Sequence, residues 1–238
     1  MVDYTKLSES MTQIGQDRTE AVQSIFKSVY GWMTVGLLVS GAVAWFTVNT
    51  GFYQVVFRPL PFLLCVIGEF ALVIALTAAI GKLSAAAAGV MFLLYAAVNG
   101  LTLSGIFLVY AQSTIETVFF ITAGMFGGMA LFGTMTKANL SGVGAFCGMG
   151  LWGLILASIV NIFVGSSGLD WILSWVGIII FTGLTMWDAQ KIRIWADYAA
   201  EQGGQTETKR VAVLGALELY LDFINLFLMI LRLFGRRK

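Results

Sequence analysis

Apolar residues in this chain do not alternate with polar ones; they come in blocks of about twenty, the length of helix needed to cross a bilayer, separated by short polar links. The first block, residues 29–48, lies between Lys27 and the break at Asn49, Thr50 and Gly51. The second starts at Pro59 and Pro61 and ends at Ile80 before Gly81 and Lys82, with proline suiting a helix start and glycine its end. The charge-free stretch 83–115 gives a third span, to about Tyr110. A fourth covers 117–136 and a fifth 143–164; Asn161 in the fifth is expected to bond a neighbour's backbone. The turn 165–170 leads to a sixth, from Trp171, with Asp170 placed to cap its helix. Residues 197–210 are hydrophilic and read as a solvent loop before the seventh block, 211–233.

The seventh block differs from the others because it carries Glu218, Asp222 and Asn225 at spacings of four and three, which places them on one face of a helix. A carboxylate facing lipid costs at least about 2.5 kcal/mol, so such a face turns to protein or to a water-filled cavity. The seventh helix is therefore expected at the centre, wrapped by the others. The expected fold is an all-α polytopic membrane protein, divided into a cytosolic N-terminal tail 1–27, one seven-helix domain 28–235, and a basic tail 236–238.

Composition agrees: 58% of the 238 residues are hydrophobic and 11% charged, where a soluble domain has roughly 25% charged. A net charge of +1 gives no reason to expect nucleic acid as a partner. Charge placement says more. With a cytosolic N-terminus, the inner side collects Lys6, Arg18, Lys27, Lys82, Lys137, Lys191, Arg193, Lys209 and Arg210, against Arg58 outside, as the positive-inside rule requires. Arg232, Arg236, Arg237 and Lys238 fall outside if the last segment crosses and inside if it re-enters. Trp171, Trp175, Trp187 and Trp195 read as interface anchors, and the Gly124/Gly128 pair, with Gly144, Gly148 and Gly150, as sites of close helix packing.

The chain has no histidine, and its two cysteines, Cys65 and Cys147, lie inside apolar spans, which argues against a zinc site or a disulfide framework. No phosphate loop or nucleophile elbow is present. An intramembrane aspartyl hydrolase needs two acids at one depth beside water, and Asp188 stands at the edge of its span. No enzymatic activity and no resident cofactor are expected.

The candidate chemistry is a pair of acids, Asp188 closing the sixth span and Asp222 inside the seventh. Two carboxyl groups brought together away from water cannot both ionise cheaply, so they tend to share a proton. Such a pair can staple two helices while protonated and push them apart, or admit a cation, once the proton leaves. An interfacial ion pair between Asp188 and Lys191, three residues on, is the alternative for Asp188. Calcium takes six to eight oxygen ligands, so Asp188, Asp222, Glu218 and Asn225 would hold it only in transit. Glu69, mid-way along the second span, is expected to meet polar groups on the third or seventh helix and is a further candidate for the ion pathway.

The runs Leu219-Tyr220-Leu221-Asp222-Phe223-Ile224-Asn225-Leu226-Phe227, Asp188-Ala189-Gln190-Lys191-Ile192 after Gly183-Leu184-Thr185, and Asn99-Gly100-Leu101-Thr102-Leu103-Ser104 resemble the Bax inhibitor-one family, also called the transmembrane Bax inhibitor motif family, in its bacterial form. The resemblance spans residues 26–235. It implies a seven-helix bundle with the last helix central and a pH-sensitive calcium-permeable leak of the cytoplasmic membrane, gated by Asp188 and Asp222 with calcium and protons as its partners. Bacterial relatives add a basic latch residue at the inner end of the second helix, where this chain offers Lys82, slightly out of register. Some relatives instead restrain another membrane protein, such as a membrane-embedded protease, without conducting.

Overall fold

A computed structural model describes residues 4–202 and 204–236; Asp3, Arg237 and Lys238 lie outside the described residues. The elements are all α-helices: α1 (Tyr4–Asn49), α2 (Tyr53–Val56), α3 (Pro59–Ala79), α4 (Ala85–Val109), α5 (Gln112–Met135), α6 (Ser141–Val164), α7 (Ser167–Gln202) and α8 (Gln205–Phe234). Seven of them are long and apolar enough to cross a membrane, one for each apolar block, and α2 is a single turn between the first two.

Helix α8 is the axis. Of the residues in its apolar window 72% are buried, against 6% in α3. It packs against α1, α4, α5 and α7, while α3 rests on α4 and α6 on α7. The central helix is thus wrapped by four neighbours, and α3 and α6 form an outer layer that presents most of its surface to lipid.

Two polar segments are helix. Residues 4–27, expected as a tail, form the start of α1, and Val22, Ile25, Val29 and Met33 continue one apolar face from them into the first span. The hydrophilic stretch 197–210, expected as a solvent loop, holds the end of α7, to Gln202, and the start of α8, from Gln205. Its exposed polar face reports solvent, and the face beneath is apolar, with Ala196, Ala199, Ala212 and Val213 buried. Arg18 of α1 reaches Asp197 (3.5 Å) and Glu201 (2.9 Å), tying the polar ends of α1 and α7 together.

At its other end, α7 starts four residues earlier than expected. Ser166 takes the capping role given to Asp170: its Oγ accepts from the Leu169 amide (3.3 Å), and its own amide donates to Asn161 Oδ1 (3.1 Å). Asn161 therefore bonds the turn after its own helix and not a neighbouring helix. Asp170 sits in the first turn, where a negative charge suits the helix dipole, 3.5 Å from Arg232 of α8.

Those contacts settle the course of α8. Arg210, near its start, donates to the Leu83 carbonyl before α4 (2.9 Å), whereas Arg232, near its end, faces the beginning of α7. The helix has 30 residues, about 45 Å at 1.5 Å per residue, and a bilayer core is about 30 Å thick. It is long enough to cross and runs from one end of the bundle to the other, so that Arg232 and Arg236 lie at the end of Arg58, opposite Lys82.

Close helix contacts occur at other glycines than the expected pair. Gly124 and Gly128 have open space around them, as does Gly148. Gly133 of α5 lies against the Met186 backbone carbonyl of α7, and Gly100 of α4 against the Ser40 carbonyl of α1, where an added Cβ would come within 2.6 Å. Gly144 and Gly150 of α6 do pack as expected, against Trp187 and Ile180.

Candidate functional site

The acids come from two helices that lie side by side. α7 contributes Asp188 and Lys191, one turn apart, and α8 contributes Glu218 and Asp222, also one turn apart. Asp188 is 7% exposed and Asp222 4%, so both are inside the bundle. Their carboxyl groups face each other across the two helices, a placement in which two acids away from water tend to share one proton.

Lys191 joins this pair to a third acid. Its Nζ lies 2.6 Å from Asp188 Oδ1 and donates to Glu218 Oε1 at 2.9 Å. The same ammonium stands over the rings of Trp187 (4.3 Å to the centroid) and Trp195 (5.1 Å). These two tryptophans are half-buried walls of the site, unlike Trp171 and Trp175, which are exposed near the opposite end as interface anchors would be. Trp187 is seated by Gly144, because any side chain there would occupy the indole's place. Glu218 Oε2 and Asp222 Oδ2 are buried and accept no hydrogen bond from the protein.

Asp188 thus faces Asp222 and also pairs with Lys191. Two carboxyl groups meet one ammonium and a third, that of Asp222, stands beside them, so with all groups ionised the cluster would carry a charge of −2. Burying such an excess is costly, and a proton or a cation relieves it. Lys82, the sequence candidate for the basic partner, is exposed in the turn after α3, and no hydrogen bond or ion pair joins it to these acids. Lys191 occupies that chemical role from within α7. Asn225 is half-buried and turns its amide to the Leu221 carbonyl of its own helix (2.8 Å), so it stands one turn beyond Asp222 without bonding it.

Glu69 belongs to a second polar cluster. It accepts from Thr102 Oγ1 (2.8 Å) and from Asn99 Nδ2 (3.4 Å), both on α4, the third span. Asn99 Oδ1 in turn accepts from the Tyr220 hydroxyl of α8 (2.8 Å), which also meets Ser40 Oγ of α1 (2.6 Å). A chain of polar groups thus runs from the outer helix α3 through α4 to α8 and α1. Sequence reasoning did not single out Tyr220, Ser40 or Thr102. Tyr220 and Thr102 stood in the quoted motifs, and a tyrosine two residues before a buried acid was the available signal.

Fold and site together define a polytopic α-helical membrane protein with an acid cluster buried between its last two helices. The profile of the family described as "Inhibitor of apoptosis-promoting Bax1" matches residues 22–238, and the chain belongs to this Bax inhibitor-1 family. It is 46% identical over 225 residues to the inner membrane protein YbhL of Escherichia coli strain K12, covering 91% of this chain and 93% of that one. An uncharacterized protein of Borreliella burgdorferi is 41% identical over 233 residues (96% and 99% covered), and protein RP147 of Rickettsia prowazekii is 35% identical over 251 (100% of both).

Proposed function

We propose that this protein is a pH-sensitive calcium-permeable leak of the cytoplasmic membrane, with its N-terminus in the cytosol, shut while Asp188 and Asp222 share a proton. The observation that carries the reading is that two buried acids from adjacent spans, Asp188 and Asp222, face each other, where one shared proton would bond them. With the proton present, the bond staples α7 to α8. When it leaves, two like charges face each other where water is scarce.

The size of that repulsion supports a switch. Two unit charges 4 Å apart at an effective dielectric of 20 interact by about 4 kcal/mol, and moving a two-state equilibrium from 1:99 to 99:1 takes about 5.5 kcal/mol. Deprotonation thus supplies most of the bias, and Lys191 offsets part of it. α8 is the axis of the bundle, so a shift of α7 against it alters the packing of the whole core.

Calcium fits the oxygen chemistry of Asp188, Asp222 and Glu218. Among the described residues no group of three or more acids is arranged to hold a metal ion, which favours passage over storage. The test is calcium entry into liposomes that contain only this protein, followed across pH. Entry should rise as pH rises through the titration of the pair. Absence of entry at every pH would discard the leak in favour of a non-conducting regulator that binds another membrane protein, such as a membrane-embedded protease.

A further inference from the structure

The acid cluster already contains a cation. The Lys191 ammonium touches Asp188 and Glu218 at 2.6 and 2.9 Å on one side and faces two indole rings on the other. Carboxylate oxygens and aromatic faces are what a cation site is made of. The site is also under-filled in charge, with three acids to one base, of which the base touches two, Asp222 only 4% exposed, and Asp222 Oδ2 and Glu218 Oε2 without a donor. Lysine is a point charge on a flexible stem, unlike the rigid fork of arginine, so its head can leave while its backbone stays in α7. A monovalent ion replacing the ammonium would leave the charge of the cluster unchanged. A divalent ion would improve it.

We propose that Lys191 is a tethered competitor for divalent cations: its ammonium holds the point between Asp188 and Glu218, beside Asp222, and an entering divalent ion has to displace it towards Trp187 and Trp195. The residue then sets both how tightly the cluster takes a cation and its preference for divalent over monovalent ions. Its physiological meaning rests on the calcium-leak reading, but the competition itself can be measured without any conduction.

The experiment uses the purified full-length protein in detergent, terbium as the probe, excited through tryptophan, and calcium to displace it. Lys191→Met should bind the displaceable terbium about tenfold or more tighter than wild type, because removing one unit charge at contact distance deepens the cluster's potential. Lys191→Arg should bind no tighter than wild type. Equal affinities for Lys191→Met and wild type, with unchanged melting temperatures, overturn the proposal. Should the methionine variant not fold, wild type decides: amine-reactive labelling of Lys191, read by mass spectrometry, should rise several-fold in high calcium, and unchanged labelling overturns it. Liposome flux separates the two readings. No flux together with Lys191-dependent terbium affinity discards the leak and keeps the competition; wild-type flux with terbium affinity indifferent to Lys191 discards the competition and keeps the leak.

Discussion

Tyr220 and Asp222 stand two residues apart on α8 and face opposite sides of the bundle: the tyrosine hydroxyl is bonded to Asn99 of α4 and lies against Ser40 of α1, and the aspartate carboxyl faces Asp188 of α7. Two residues of helix turn about 200°, so one helix carries the structural polar network on one face and the acid pair on the other. The two clusters invite separate tests, because damage to one removes a support and damage to the other removes a charge.

Replacing Asp222 or Asp188 by asparagine keeps a hydrogen bond between α7 and α8 but removes one of the two charges that repel. Calcium entry into liposomes should then stay near its low-pH level at all pH values, about tenfold or more below wild type at the alkaline end. Profiles for Asp188→Asn and Asp222→Asn that overlay wild type would rule out the gate.

Tyr220→Phe keeps the ring, which packs edge-on against Phe92 and Tyr95, and deletes only the hydroxyl. Asn99 Oδ1 then loses its donor inside the protein. The expected loss is about 1–3 kcal/mol, read as a lower melting temperature in detergent, with the pH dependence of any calcium flux retained. A melting temperature equal to wild type would mean that the hydroxyl bonds hold nothing together.

Gly133→Ala puts a methyl group against the Met186 carbonyl, and since backbone has to move, a cost of about 1–3 kcal/mol is expected. Gly124→Ala, on the same helix with nothing within 4 Å, should be neutral or stabilising by up to about 1 kcal/mol from helix propensity. Equal thermal stability of the two variants would contradict the described contact between α5 and α7.

The course of α8 can be tested by labelling single cysteines in a background with Cys65 and Cys147 replaced. Arg236→Cys should react with a membrane-impermeant thiol reagent from the same side as Arg58→Cys, and Lys82→Cys from the other. Reaction of positions 236 and 82 from one side would show re-entry.

The number of spans was legible in the chain because lipid demands an unbroken apolar length and the polar links between blocks are short. The central place of α8 was legible too, since Glu218 and Asp222 have no tolerable position facing lipid. The helical nature of residues 197–210 was not, because a helix that leaves the membrane becomes polar on its outer face without ceasing to be a helix, and its buried face here is mostly alanine. Nor did glycine spacing reveal the contacts: Gly124 and Gly128 have the motif and no neighbour, while Gly133 has a neighbour and no motif. Which base would serve the acids turned on a three-dimensional fact. Lys82 and Lys191 both lie towards the same end of the bundle, but it is α7 that runs alongside the Glu218 face of α8.

The position of α8 in the chain bears on how the protein is made. The helix with most of its surface covered follows the six other spans, so during synthesis those spans enter the membrane with no axle to close around. Until it arrives, Asn99, Ser40 and Lys191 lack the partners that α8 brings. The bundle is therefore complete only once its last span is in place, whatever pairs the earlier helices form among themselves.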